Sequence, residues 1–300
     1  MSYPPEHHLL RDLPFEIEDT GADSSRGHLR VTPQLLTGPS GPLDIGPVLD
    51  IGPVLVATDV LSGFLVGRVI APDWMATAQL AVHLAEPHLA EPVGGVAAET
   101  VAGEPDESVE VVIDATVRRA GRTTVVVGCE IRVDDSEVGD AILTFVRLPR
   151  RDGNIEIADT PILLGRRSSM ALPGSGFSRP FRDHIGVELT DPSTGSARLE
   201  VVDYVRNSFG AVNGGVVTSL AAGAAAALAG DRFGVPARAL DLTATYLSQG
   251  KVGPLITRGR VMRCDDVTAL VRVEVLDAGV TSEGDDGRTL VVCHVACCRI

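Results

Sequence analysis

Two arrangements of apolar and polar residues recur along this 300-residue chain. Segments such as ATAQLAVHL (76–84) and ALDLTATYL (239–247) alternate residue by residue. That is the period of a strand with one buried face. Longer alternating runs cover 109–133 and 139–149, and again 255–277 and 288–300. Two other segments, GPVLVATDVLSGFLVGR (52–68) and GVVTSLAAGAAAALAGDR (215–232), are apolar on nearly every side. A helix of that composition demands burial all round. Helices are expected near 53–67 and 216–229.

The chain repeats itself. From Gly52 to His83 the two halves align at a constant offset of 163, pairing Gly52 with Gly215, Asp59 with Ala222 and His83 with Tyr246. Back-to-back copies of DIGPVL (44–55) and HLAEP (83–92) read as duplications in loops, where added length costs little. The first should give an extra loop or turn before the first helix. Each half reads as a strand, a glycine turn, one long helix and about four antiparallel strands. The fold class is α+β, with units at 1–149 and 181–300 and a linker at 150–180 rich in Pro, Gly, Ser and Arg. One helix and one curved sheet per unit implies that the sheet wraps the helix.

Charge and cysteines narrow the partners. A net charge of −14 repels nucleic acid and anionic membrane, so neither is expected. The helix after Gly215 reads as too short and too rich in Ala, Ser and Thr to span a bilayer. The N-terminal residues lack a basic region followed by an apolar stretch, which points to the cytoplasm. CHVACC (293–298) resembles a metal cluster, but on a strand Cys293 and Cys297 lie about 13 Å apart, too far to share a zinc ion. Neither a metal nor another cofactor is expected, and the thiols read as core residues.

The stretch NSFGAVNGGVVTSL (207–220) carries the chemistry. It resembles the signature of hotdog-fold acyl-CoA thioesterases of the PaaI type, N-x-x-G-x-x-H-G-G followed by an Asp seven residues after the second Gly. The resemblance implies a double hotdog: two such folds in one chain. Asn213 replaces the usual His, and Ala222 the usual Asp. The first half keeps Asp59 but has Gly38 for the Asn and Asp50–Ile51–Gly52 for His–Gly–Gly. Family sites are shared between subunits, so the resemblance implies one composite site. Asn207, Asn213, Gly214 and Gly215 from the second unit would face Asp59 from the first.

In that site the first N–H groups of the helix and its dipole would stabilise the oxygen anion of thioester hydrolysis. Glycines at 214 and 215 would let the carbonyl approach. Asp59 would act as general base or nucleophile. The family often places a Ser or Thr on the next strand to hold the water. The alignment puts Ala76 there with Thr77 beside it, making Thr77 the candidate. Lys251 and Arg206 are candidates for the coenzyme A phosphates. The opposite site, Asp50 and Gly52 facing Ala222, lacks a base. The substrate is expected to be an acyl-CoA, and the assembly a homodimer of such chains. The alternative is a non-catalytic acyl-CoA- or lipid-binding protein on the same fold.

Overall fold

A computed structural model describes residues 3–37, 48–85, 109–133, 136–150, 164–281 and 286–300. The helical turn α1 (Leu9–Asp12) leads to β1 (Phe15–Asp19) and β2 (Ser24–Arg30), then to a small ribbon of β3 (Leu36–Thr37) and β4 (Val48–Leu49). The long helix α2 (Ile51–Ile70) follows, then β5 (Trp74–Leu84), β6 (Glu110–Ala120), β7 (Thr124–Val133) and β8 (Ser136–Leu148). Next come β9 (Arg167–Ser169), the turn α3 (Phe181–His184), β10 (Glu188–Asp191) and β11 (Ser196–Leu199). The second long helix α4 (Gly214–Phe233) precedes β12 (Ala237–Tyr246), β13 (Leu255–Cys264), β14 (Thr268–Asp277) and β15 (Arg288–Arg299). Both helices run longer than their apolar patterns suggested, because side chains cap them. Asp50 accepts from the Gly52 N–H at 2.8 Å, and Asn213 accepts from the Val216 N–H at 3.2 Å. Gly234, at φ 68°, ends α4 in the left-handed conformation.

Thirteen strands form one antiparallel sheet in the order β10-β11-β13-β14-β15-β12-β5-β8-β7-β6-β2-β1-β9. The halves join where β12 pairs with β5. Leu80 faces Ala244 there, and Ala81 faces Thr243. Adding the 163-residue offset to 80 and 81 gives 243 and 244, which exchanges the two pairs. The junction therefore lies on a two-fold pseudo-axis. β9 falls in the segment expected as linker, yet it pairs with β1 as an edge strand.

The sheet curls round α2 and α4, which pack on each other. At their crossing Ser219 Oγ donates to the Gly52 carbonyl at 3.1 Å. A Cβ on Gly215 would lie 2.4 Å from Val56 Cα. That close approach of backbones requires glycine at 215. Each helix is 20 residues long and apolar enough to cross a bilayer, correcting the expectation that the second was too short. In both, 78% of the apolar window is buried inside the protein, as befits core helices. Cys293, Cys297 and Cys298 are buried on β15. Residues 44–47 and 86–92, parts of the two duplications, lie outside the described residues. The second DIGPVL copy supplies the cap and first turn of α2.

Candidate active site

Asp59 lies in the third turn of α2, 8% exposed, on a helix otherwise apolar apart from Thr58, Ser62 and Arg68. A carboxylate in such a place must be hydrogen-bonded to stay ionised. Its Oδ1 accepts from Thr77 Oγ1 at 2.9 Å and its Oδ2 from the Gly215 N–H at 3.3 Å. Burial nevertheless wins and pushes its pKa up to about 6; the two hydrogen bonds pull the other way. The group is thus ionised at neutral pH yet basic enough to take a proton.

Thr77 reaches Asp59 because of a bulge. Leu80, Val82 and Leu84 of β5 face the core, and strict alternation would continue that face through Ala78 and Ala76. The register against β8 shifts between Thr77 and Gln79, which reverses the phase and turns Thr77 toward α2.

Across from Asp59 stands the N-terminus of α4. The Gly214 N–H has no partner among the described residues, whereas the Gly215 N–H is held by Asp59 and the Val216 N–H by the cap. A Cβ on Gly214 would sit 2.9 Å from Asp59 Oδ2 and 3.3 Å from the Tyr246 hydroxyl. The two glycines therefore differ: Gly214 leaves room beside the carboxylate, and Gly215 answers to the helix crossing rather than to a ligand. Asn213 spends its side-chain oxygen on the cap, so its role here is to start the helix. Asn207 Oδ1 accepts from the Phe209 and Ala211 N–H groups at 3.0 and 3.1 Å, which shapes the turn before α4. Its amide nitrogen has no partner among the described residues.

These residues line a cavity of about 490 Å³, within the range of small-molecule sites. Asp59, Thr77, Asn207, Asn213 and Gly214 all border it. Several neighbours went unnoticed in the sequence. Tyr246 donates from its hydroxyl to the Gly214 carbonyl at 2.9 Å; its pairing with His83 in the repeat was the available signal. Trp74 stacks edge-on against Phe209, centroids 4.2 Å apart, and joins β5 to the Asn207 turn. Tyr3 and Leu10 close the N-terminal side. Lys251 and Arg206 do not border the cavity. The Arg206 guanidinium donates to the carbonyls of Lys251 and Val201 at 3.2 and 3.3 Å and pairs with Asp203. The Lys251 side chain is exposed, while its N–H donates to Asp277 at 3.0 Å.

The pseudo-symmetric position is filled. Asp50, 3% exposed, pairs with Arg182 of α3 at 2.8 Å. Gly52 backs onto Phe181, and a Cβ on Gly223, beside Ala222, would lie 3.5 Å from the Arg182 stem. Side chains of α3 thus occupy the space that stays open beside Asp59.

Comparison with known proteins agrees with this architecture. Residues 209–283 match the thioesterase superfamily. No protein with a curated description matches the chain. Among solved structures, a proposed thioesterase of Novosphingobium aromaticivorans is 16% identical, over 95% of this chain and 98% of that chain, with a TM-score of 0.55. An acyl-ACP thioesterase of Bacteroides thetaiotaomicron is 12% identical, over 91% and 97%, with a TM-score of 0.53. A protein of unknown function with a hotdog fold from Alicyclobacillus acidocaldarius is 12% identical, over 92% and 93%, with a TM-score of 0.51. The chain is a double hotdog, each unit a long helix wrapped by antiparallel sheet.

Proposed function

We propose that this chain hydrolyses acyl-CoA thioesters at one composite site, with Asp59 from the first unit and the start of α4 from the second. The observation that carries this reading is a buried carboxylate with a raised pKa facing a free helix-N-terminal N–H in an apolar cavity. The thioesterase superfamily match over 209–283 covers the α4 side of that site and supports the same reaction class.

The thioester carbonyl oxygen would lie against the Gly214 N–H, where the dipole of α4 favours developing negative charge. A water held by Asp59 attacks the carbonyl carbon as the carboxylate takes its proton. The resulting tetrahedral intermediate expels the thiolate, and the proton on Asp59 passes to that sulfur. The products are a carboxylic acid and a free thiol, and Asp59 is ionised again. Thr77 fixes the carboxylate through Oδ1 and favours its ionised form. Tyr246 secures the Gly214 carbonyl and with it the peptide leading to Gly215.

Thiol release from a panel of acyl-CoAs tests the proposal, with Asp59→Asn as the control. Turnover that depends on Asp59 supports it. Tight binding of acyl-CoA with no thiol released by the wild type selects the non-catalytic binding protein instead.

A further inference from the structure

The cavity has more than a reacting end. Asp59, Gly63 and Gly67 lie at four-residue steps on α2, so they share one face of the helix, and all three border the cavity. Phe64, Trp74 and Met75 border the same cavity, and with Gly63 and Gly67 they give its arm along α2 a mainly apolar lining.

Glycine inside a helix is the poorest choice short of proline, so each one asks for a reason. In α4 the reasons are visible. A Cβ on Gly215 would strike Val56, one on Gly223 would touch Arg182, and one on Gly230 would lie 3.2 Å from the Val235 carbonyl. Gly63 is different: a Cβ there would meet nothing within 4 Å. Its counterpart at the 163-residue offset is Ala226, buried in the core of the second unit. No packing contact accounts for the glycine at 63, and the space it leaves belongs to the cavity that holds Asp59.

From this we infer that Gly63 sets acyl-chain selectivity, and that the arm along α2 takes an unbranched acyl chain of medium length. The inference rests on the thioester reading for the position of the carbonyl. Eight residues of helix separate Asp59 from Gly67, a rise of about 12 Å at ~1.5 Å per residue. An extended alkyl chain advances about 1.25 Å per bond, given bonds of ~1.5 Å and angles near 111°. The arm therefore holds roughly eight to ten carbons. The aromatic faces of Phe64 and Trp74 would cover the chain, and the missing side chain at 63 is where the chain passes closest to the helix.

The experiment compares wild type with Gly63→Leu and Gly63→Ala. Thiol release is followed with butyryl-, decanoyl- and palmitoyl-CoA, and binding of free decanoic acid is followed by calorimetry. Wild-type kcat/KM should peak at decanoyl-CoA. Gly63→Leu should lower the decanoyl-to-butyryl ratio of kcat/KM at least tenfold and weaken decanoic acid binding at least tenfold. Gly63→Ala should lower the ratio less and raise Tm by a few degrees, since the added methyl favours the helix and meets no neighbour. That rise separates a filled arm from a damaged fold. A ratio within threefold of wild type in Gly63→Leu overturns the inference, as does a wild type that does not bind decanoic acid. If no thioester is hydrolysed, the binding experiment decides alone. Decanoic acid bound by wild type and lost in Gly63→Leu then sustains the arm and refutes only the hydrolysis.

Discussion

Replacing Asp59 with Asn should make the protein more stable at neutral pH while removing its turnover. Burial raises the pKa of this carboxyl from 3.8 to about 6. At about 1.4 kcal/mol for each tenfold change in proton affinity, the folded state holds the ionised group at a cost on the order of 3 kcal/mol. The sign follows from proton binding. Between about pH 4 and pH 6 the folded chain keeps a proton that the unfolded chain has released, so stability falls as pH rises through that window. Asparagine keeps the shape and carries no charge. Its oxygen can still accept from Thr77, but one of the two bonds to the carboxylate is lost, worth about 1 kcal/mol. The net gain should be about 2 kcal/mol at pH 7.5 and turn into a loss of about 1 kcal/mol below about pH 4, where only the missing hydrogen bond remains. Denaturant unfolding of both proteins at pH 4, 5.5 and 7.5 measures it. Turnover should fall by on the order of 10²–10⁴, the usual value of a positioned base. A variant no more stable at pH 7.5 than at pH 4, relative to wild type, would show that Asp59 is not held ionised at a cost. Wild-type turnover in the variant would remove Asp59 from the reaction altogether.

The other predictions concern the neighbours of that carboxylate. Wild-type kcat should rise with pH through about 6 as Asp59 ionises, and Thr77→Val should move that limb upward while lowering turnover roughly 10-fold; a pH–rate profile reads both. Gly214→Ala should fold but lose turnover by on the order of 10², because its Cβ displaces the Asp59 carboxylate, as steady-state kinetics would show. Gly215→Ala should lose about 3 kcal/mol of stability in denaturant unfolding, because backbone of α2 rather than a mobile side chain stands in the way. Asp50→Ala should cost about 3 kcal/mol by the same measurement, from a lost helix cap and an Arg182 left without its partner.

The elements that depend on local pattern were legible before the structure. Both long helices fell where apolar residues crowd every side, and the four long strands after each fell where alternation is sustained. The repeat placed Asp59 opposite Ala222 and so suggested a shared site, and the structure does bring Asp59 to the start of α4. What the pattern hid was where alternation breaks. A one-residue bulge decides that Thr77, not Ala76, meets the carboxylate, and nothing in ATAQLAVHL marks it. Adjacent glycines also look alike in sequence. Only the crossing of the helices separates Gly215, which serves packing, from Gly214, which leaves room beside Asp59 in the cavity. Tyr3, Trp74 and Phe209 come together from distant parts of the chain, and no spacing rule links them. Sequence shows charge but not position or prior engagement: Lys251 and Arg206 stand outside the cavity lining, and the Arg206 guanidinium is held by carbonyls and Asp203.

The filled second position explains why the two halves could diverge. In a dimer of identical units every change occurs twice, so a side chain that plugs one site plugs both. Fusion removes that constraint. Here Asp50 caps α2 as Asn213 caps α4, but it is a carboxylate buried at 3% exposure and needs a cation. Arg182 supplies one, and because Ala222 stands where the repeat has Asp59, a single arginine balances the charge. An aspartate at 222 would put two acids against one guanidinium in a closed core. On the other side the cap is neutral, no arginine lines the cavity among the described residues, and Asp59 keeps both its charge and the open space. The two caps thus differ as their surroundings do: the acidic cap is paired with an arginine that fills the space beside it, and the amide cap borders a cavity that stays open.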